Sequence, residues 1–196
     1  MNTREALIGA ATDLLDASGV EGVTLREVGH RAGVSHNAPY KHFADKEALL
    51  AAIAARELTV LAESLTATRE REPSARVALR QMMRDYIAWA LAHPARFKLV
   101  FGKWTTDSPE LALAAVRALT LNVEAVAAAQ RSGDLPPAAP ERLAALIRAL
   151  AHGAVDLALA GHLSAEGKGG AGPDDLVEDL FGYLLGRPTG PAGSRG

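Results

Sequence analysis

The chain of 196 residues has no cysteine, which removes disulfides, thiol redox sensing and cysteine-ligated zinc from consideration. It also lacks the HExxH pattern of helical metallohydrolases and any glycine-rich phosphate loop, and its carboxylates are scattered over polar helix faces. Aromatics are only 5% of the residues, and there is no basic excess, since the formal net charge is -2. The N-terminus reads as a helix rather than a basic-then-apolar leader, and no apolar run reads as long enough to span a bilayer. The expected location is therefore the cytoplasm, with no membrane partner. What remains is 48% hydrophobic and 22% charged, the balance of a globular chain able to bury a substantial core.

The segment Thr24 to Phe43, TLREVGHRAGVSHNAPYKHF, carries the most information. Thr24 and Glu27 form a capping box, with Val23 and Val28 at the positions of a hydrophobic staple. Leu25, Val28 and Ala32 give the first helix one buried side, and Gly33 supplies a left-handed stop. Ser35 reads as the next N-cap, opening a helix through Asn37, Tyr40 and His42 before Phe43 returns to the core. Pro39 then falls in or just past the first turn, where a missing N–H is tolerable. Two short capped helices around a tight turn make a helix-turn-helix.

The second helix offers His36, Asn37, Tyr40, Lys41 and His42 on its outer face, with almost nothing apolar to bury. Such a face suits phosphates and base edges. Asp45 and Lys46 follow at the start of another helix, where backbone N–H groups and a lysine suit one more phosphate. Residues 1 to 46 hold five Lys or Arg (Arg4, Arg26, Arg31, Lys41, Lys46) against six Asp or Glu (Glu5, Asp13, Asp16, Glu21, Glu27, Asp45). Positive charge must then be local to the contact face, so specificity depends on matched sites.

The run GVTLREVGHRAGVSHNAPYKHFADKEALL, preceded by a helix ending ASG, resembles the DNA-binding head of TetR-type transcriptional regulators. Gly33, Val34, Tyr40, Phe43, Lys46, Leu49 and Leu50 stand where that family places such residues, whereas Pro39 occupies a place more usually Leu or Ile. The resemblance covers about the first quarter of the chain, and ALAHGAVDLALAG (149–161) is similar to a late helix in one branch of the family. It implies an all-α fold, a homodimer and a ligand-responsive regulator, most often a repressor, with no cofactor.

The rest of the chain reads as helices. Arg4 to Ala17 carries a stripe at Leu7, Ile8, Ala11, Leu14 and Leu15 and ends at Gly19, completing a three-helix head over residues 1–46. From Asp45 to about Thr68 nothing breaks the pattern, giving a rod of ~35 Å. A helix follows Pro73 and stops near His93-Pro94; a shorter one carries Phe97, Val100, Phe101 and Trp104; Ser108 caps the next, to about Arg131; and SGDLPPAAP is a linker. Glu141 to Leu163 and Pro173 to Leu185 form a last pair, separated by EGKGGAGP. Residues 47–186 are thus expected to form a helical body for effector binding and dimerisation, and 187–196 a disordered tail.

Five of the nine aromatics lie between Tyr86 and Trp104, beside Met82 and Met83. Tyr86, Trp89, Phe101 and Trp104 are candidate walls of a pocket for a mostly apolar effector, and Arg117, Asn122 and His152 candidate polar groups that orient it. The same cluster also reads as ordinary core. Small residues Ala151, Gly153, Ala154, Ala158 and Gly161 let the helix from Glu141 approach a partner closely, assigning the last two helices to a two-fold four-helix bundle.

The contact assignments follow from these faces. His36, Asn37 and Lys41 are candidates for base edges of a palindromic duplex operator, and Thr24, Tyr40, His42 and Lys46 for phosphates. Two alternatives stand beside this reading. One is an architectural DNA binder with no effector. The other is a helical metal-dependent enzyme using His152 and Asp156 with His93 or His162.

Overall fold

The computed structural model describes residues 2–186, so the expected tail at 187–196 lies outside the described residues. Among the described residues the regular structure is helical: α1 (Thr3–Gly22), α2 (Leu25–Arg31), α3 (Ala38–His42), α4 (Lys46–Arg71), α5 (Ala75–Ala92), α6 (Pro94–Val100), α7 (Pro109–Arg131), α8 (Pro140–Leu159) and α9 (Pro173–Leu184). The all-α expectation holds. The helices divide into two compact units, one of residues up to Ala62 together with His93–Ala118, the other of Glu63–Ala92 together with Leu119 onward.

In the first unit α1 packs on α2, α3 and α6. Leu7, Ile8, Leu15, Val23, Val28, Leu49 and Ile53 are fully enclosed, and Phe43 is 3% exposed, so the apolar stripe of α1 is the brace the sequence anticipates. Gly19, at φ 68°, breaks the helical path of α1 where the sequence places its end. A polar network ties three helices together. Arg96 on α6 donates from Nε to both oxygens of Asp16 on α1, each at 3.0 Å, and from Nη1 at 3.3 Å to the buried carboxylate of Glu57 on α4. Arg56 donates at 2.6 Å to the buried Thr12 hydroxyl, which itself donates to the Ile8 carbonyl. A buried carboxylate is tolerable only when paired in this way.

In the second unit α8 and α9 pack on each other and on α5. Leu79, Met82, Ile87, Ile147, Val155, Val177 and Phe181 form the interior, and Met83 is buried as well. Asp85 accepts hydrogen bonds from Thr68 at 2.7 Å and Gln81 at 2.8 Å, fixing the end of α4 against α5. The helix expected to reach Leu163 stops at Leu159. Gly161 at φ 72° lets its N–H return to Ala158 O and that of His162 to Leu157 O, a left-handed C-terminal cap that closes α8 early.

One expectation is corrected by α7. An 18-residue window in it has a mean hydropathy of 1.6, long and apolar enough by length and composition to cross a membrane, with a third of the window buried. Its charges at Glu110, Arg117, Glu124 and Arg131 recur every seven residues, which hides the apolar length from a reading by runs. Glu110 pairs with Arg4 at 2.6 Å in the first unit and Glu124 with Arg69 at 2.7 Å in the second.

Candidate functional site

The helix-turn-helix is built by local capping. Thr24 Oγ accepts the Glu27 N–H at 3.2 Å, the threonine half of the expected capping box. Beyond α2, Gly33 sits at φ 66°; its N–H bonds His30 O and the Val34 N–H bonds Gly29 O, the paired closure of a Schellman motif. No residue with a Cβ takes that φ without strain.

The start of α3 differs from the sequence expectation. Ser35 does not cap it; the helix begins at Ala38 with Asn37 as its N-cap and no side-chain cap bond, after a turn closed by Ala38 N–H to Ser35 O at 2.9 Å. The reason is Pro39. A helix opened by Ser35 would need the residue 39 N–H to bond the Ser35 carbonyl, and proline has no N–H and sets its ring against that carbonyl. Starting two residues later places Pro39 in the first turn, where its fixed φ is favourable. His36 and Asn37 therefore project from a turn rather than a helix face, while Tyr40, Lys41 and His42 lie on α3.

All of these side chains are exposed, Tyr40 by 53%, although Pro39 and Phe43 beside them are buried. The His36 and Tyr40 rings lie 5.9 Å apart and tilted, so the turn and the helix present them as neighbours. Thr24 is exposed at the start of α2, and Lys46 half-buried at the start of α4. There a second correction applies. Asp45 Oδ1 caps α4 by accepting the Ala48 N–H at 2.8 Å, so that donor is taken and a phosphate at this end relies on Lys46 and the earlier N–H groups.

Sequence reasoning missed Glu47. Its Oε1 accepts from Thr105 Oγ at 2.6 Å, Thr105 N at 3.1 Å and Thr106 N at 3.0 Å, pinning the loop between α6 and α7 to the first turn of α4. The Thr105 hydroxyl and backbone bonds hold this carboxyl below its ordinary value. The Arg4 guanidinium, a further contact with no local sequence signal, lies 5.5 Å from the Phe43 ring centroid. Fifty-eight or more residues separate Glu47 from its partners, and nothing local signals them.

The candidate effector residues divide between the units. Tyr86 and Trp89 belong to the second, with rings 6.3 Å apart; Tyr86 is buried and Trp89 half-buried. Phe101 and Trp104 belong to the first. Phe101 is the C-cap of α6 rather than a residue inside it, 39% exposed and 5.4 Å from the Phe97 ring. Trp104 lies in the following loop, half-buried, and its shielded indole N–H meets no acceptor among the described residues. Arg117 is exposed, Asn122 and His152 half-buried. Tyr86 Oη and His152 Nδ1 are 3.0 Å apart. Burial raises the Tyr86 hydroxyl above its ordinary value, against the pull of Arg148. Burial also depresses the His152 imidazole, which Asp156 opposes and Arg148 reinforces.

A family description of bacterial regulatory proteins, tetR family, matches residues 7–53, and one of the tetracyclin repressor-like C-terminal domain matches residues 79–182. The chain belongs to the TetR family. Over 57 residues it is 47% identical to the class C tetracycline repressor protein of Escherichia coli, covering 29% of this chain and 26% of that protein. The chain thus aligns with about a quarter of the length of the curated relatives it matches. A protein of unknown function from Rhodococcus sp. RHA1 has the same fold, with 32% identity and a TM-score of 0.81 over 96% of this chain and 97% of that one. AibR, solved with isovaleryl coenzyme A and operator DNA, shares the fold at 18% identity and a TM-score of 0.67 over 96% and 100%. Membership in a family of regulatory proteins answers the enzyme alternative. Among the described residues, no three of its histidines and carboxylates gather as a metal site.

Proposed function

We propose that this TetR-family chain is a homodimeric transcriptional regulator that works in the cytoplasm and binds a palindromic DNA operator through residues 1–46. In this reading residues 47–186 form the effector and dimerisation body, and a small, mostly apolar effector releases the protein from DNA as from a repressor. The observation that carries the DNA reading is the exposed set His36, Asn37, Tyr40, Lys41 and His42, held beside buried Pro39 and Phe43 by the capped helix α2 and the proline-started helix α3. His36, Asn37 and Lys41 read base edges, and Thr24, Tyr40, His42 and Lys46 hold phosphates.

Dimerisation draws support from the unpartnered faces of α8 and α9. Leu146 and Leu157 on α8 are 65% and 48% exposed, and Tyr183 on α9 is 63% exposed. With Leu150 and Gly153 between the two leucines, they make a stripe at helical spacing suited to the same stripe on a second copy. A two-fold dimer sets its recognition helices about 34 Å apart, in successive major grooves. For the effector, the part-buried Tyr86–His152 hydrogen bond, with the Trp89 ring 6.3 Å from that of Tyr86, supplies polar groups beside aromatic walls within the second unit. AibR, which shares the fold, was solved with both an acyl thioester and operator DNA.

Selection of bound duplexes from a random pool tests the reading. The expected result is enrichment of a palindrome with half-sites a helical turn or more apart. Enrichment of no sequence at low salt would overturn it in favour of an architectural binder.

A further inference from the structure

The second unit contains a cation that the fold does not use. Arg148 on α8 is half-buried, yet among the described residues no acceptor or carboxylate lies within hydrogen-bond or ion-pair distance of its guanidinium. Arg69, Arg80 and Arg84 in the same unit each reach a glutamate. The Arg148 nitrogens remain open to water, and an unpaired guanidinium at the edge of a cavity is a ready binding point for an anion.

Its surroundings fit a particular anion. Between α7 and α8 a cavity of about 50 Å³ is walled by Leu119, Val123 and Ala144, with Asn122, Glu141 and Arg148 as its polar lining. That volume takes a group of a few atoms, not a whole ligand. One turn further along α8, His152 is hydrogen-bonded to Tyr86, and the Arg148 charge acts on both groups. A planar guanidinium beside an amide side chain matches a carboxylate, which takes two parallel N–H bonds from arginine.

We propose that the effector carries a carboxylate, that Arg148 with Asn122 binds it between α7 and α8, and that the apolar remainder extends toward Tyr86. The inference rests on the effector reading above and adds the ligand's charge and its anchoring residue. Glu141 is the opposing charge in this lining; it is exposed, so its repulsion is screened over a Debye length of ~8 Å at physiological salt. Asp156, also exposed, lies two turns beyond Arg148 on the side of His152.

The test is direct binding by calorimetry of straight-chain carboxylates from butyrate to dodecanoate, with benzoate and phenylacetate, each beside its carboxamide. At least one carboxylate should bind, with its amide roughly 10-fold weaker or worse, as expected for loss of a charged hydrogen bond. Arg148→Gln should erase that preference, Arg148→Lys should keep part of it, and Glu141→Gln should tighten carboxylate binding. Unchanged helical circular dichroism of each variant separates these effects from misfolding. Equal binding of acid and amide, an unaltered preference in Arg148→Gln, or no binding by any carboxylate would overturn the proposal. Operator binding is measured on the same samples. A protein that selects a palindrome but ignores every carboxylate refutes the anionic effector alone, and one that binds carboxylates but no duplex refutes the regulator reading alone.

Discussion

Pro39 stands in the space that a side chain at residue 29 would require: a Cβ built on Gly29 would lie 2.8 Å from Pro39 Cγ. The two short helices of the head approach this closely because one contributes a glycine and the other a proline ring. A proline at residue 39, where the family more usually has Leu or Ile, is thus matched by its neighbour across the turn.

Gly29→Ala should therefore be harmful although alanine is the better helix former. Helix propensity favours the change by ~1 kcal/mol, while overpacking a close contact costs about 1–3 kcal/mol. The expected result is net destabilisation with weaker operator binding, because α3 must shift. Adding Pro39→Ala should recover part of the loss, so that the double variant is more stable than the sum of the singles by over ~0.5 kcal/mol in urea denaturation. Strict additivity would show that the contact carries no energy.

Lys46 and Asn37 should fail in different ways. Lys46→Ala is expected to weaken binding to every duplex alike and to lower the slope of log affinity against log salt by about 1. Asn37→Ala should instead relax preference at one base pair, at a cost of roughly 1–3 kcal/mol on the selected site only. Binding titrations across salt and across single-base operator variants separate the two, and the reverse pattern would exchange the assigned contacts.

Features of the head that depend on near neighbours were legible in the chain. Thr24 needs only Glu27 three residues on, and Gly33 only its own φ and two carbonyls of the same helix. The N-cap expected at Ser35 is displaced by an equally local cause, the Pro39 ring, which would meet the Ser35 carbonyl in a helix opened there. Glu47 and Arg96 were opaque for another reason. Their partners Thr105, Thr106, Asp16 and Glu57 are brought to them by packing, and ordinary surface residues have the same sequence appearance. In the body the aromatics were visible, but their division between two units was not, nor was the isolation of Arg148.

Acid should weaken the second unit through His152. Burial first, with Arg148 adding and Asp156 opposing, holds the folded-state imidazole below its ordinary value of 6.5, so the unfolded chain binds the proton more readily. The stability from this group is fully present above pH 6.5 and is lost as pH falls through the depressed value. Urea denaturation of wild type and His152→Gln from pH 7.5 down to 5.5 should show a steeper loss in the wild type, since glutamine can still bond Tyr86 but does not titrate. Parallel profiles would mean that protonated His152 is accommodated in the folded protein.

The proposed dimer surface can be tested without disturbing the core. Leu157 and Tyr183 are 48% and 63% exposed in the single chain, so Leu157→Glu with Tyr183→Glu should change folding by little, within about 0.5 kcal/mol per site. Two carboxylates placed on each copy would face one another across a two-fold axis, and the dimer should dissociate. Sedimentation is expected to report a monomer with intact helical circular dichroism, and affinity for a palindromic operator should fall because each head then binds its half-site alone. A dimer that survives both substitutions would move the interface elsewhere. The exposed Leu113 and Val116 of α7, at 73% and 60%, would then be the next apolar surface to test.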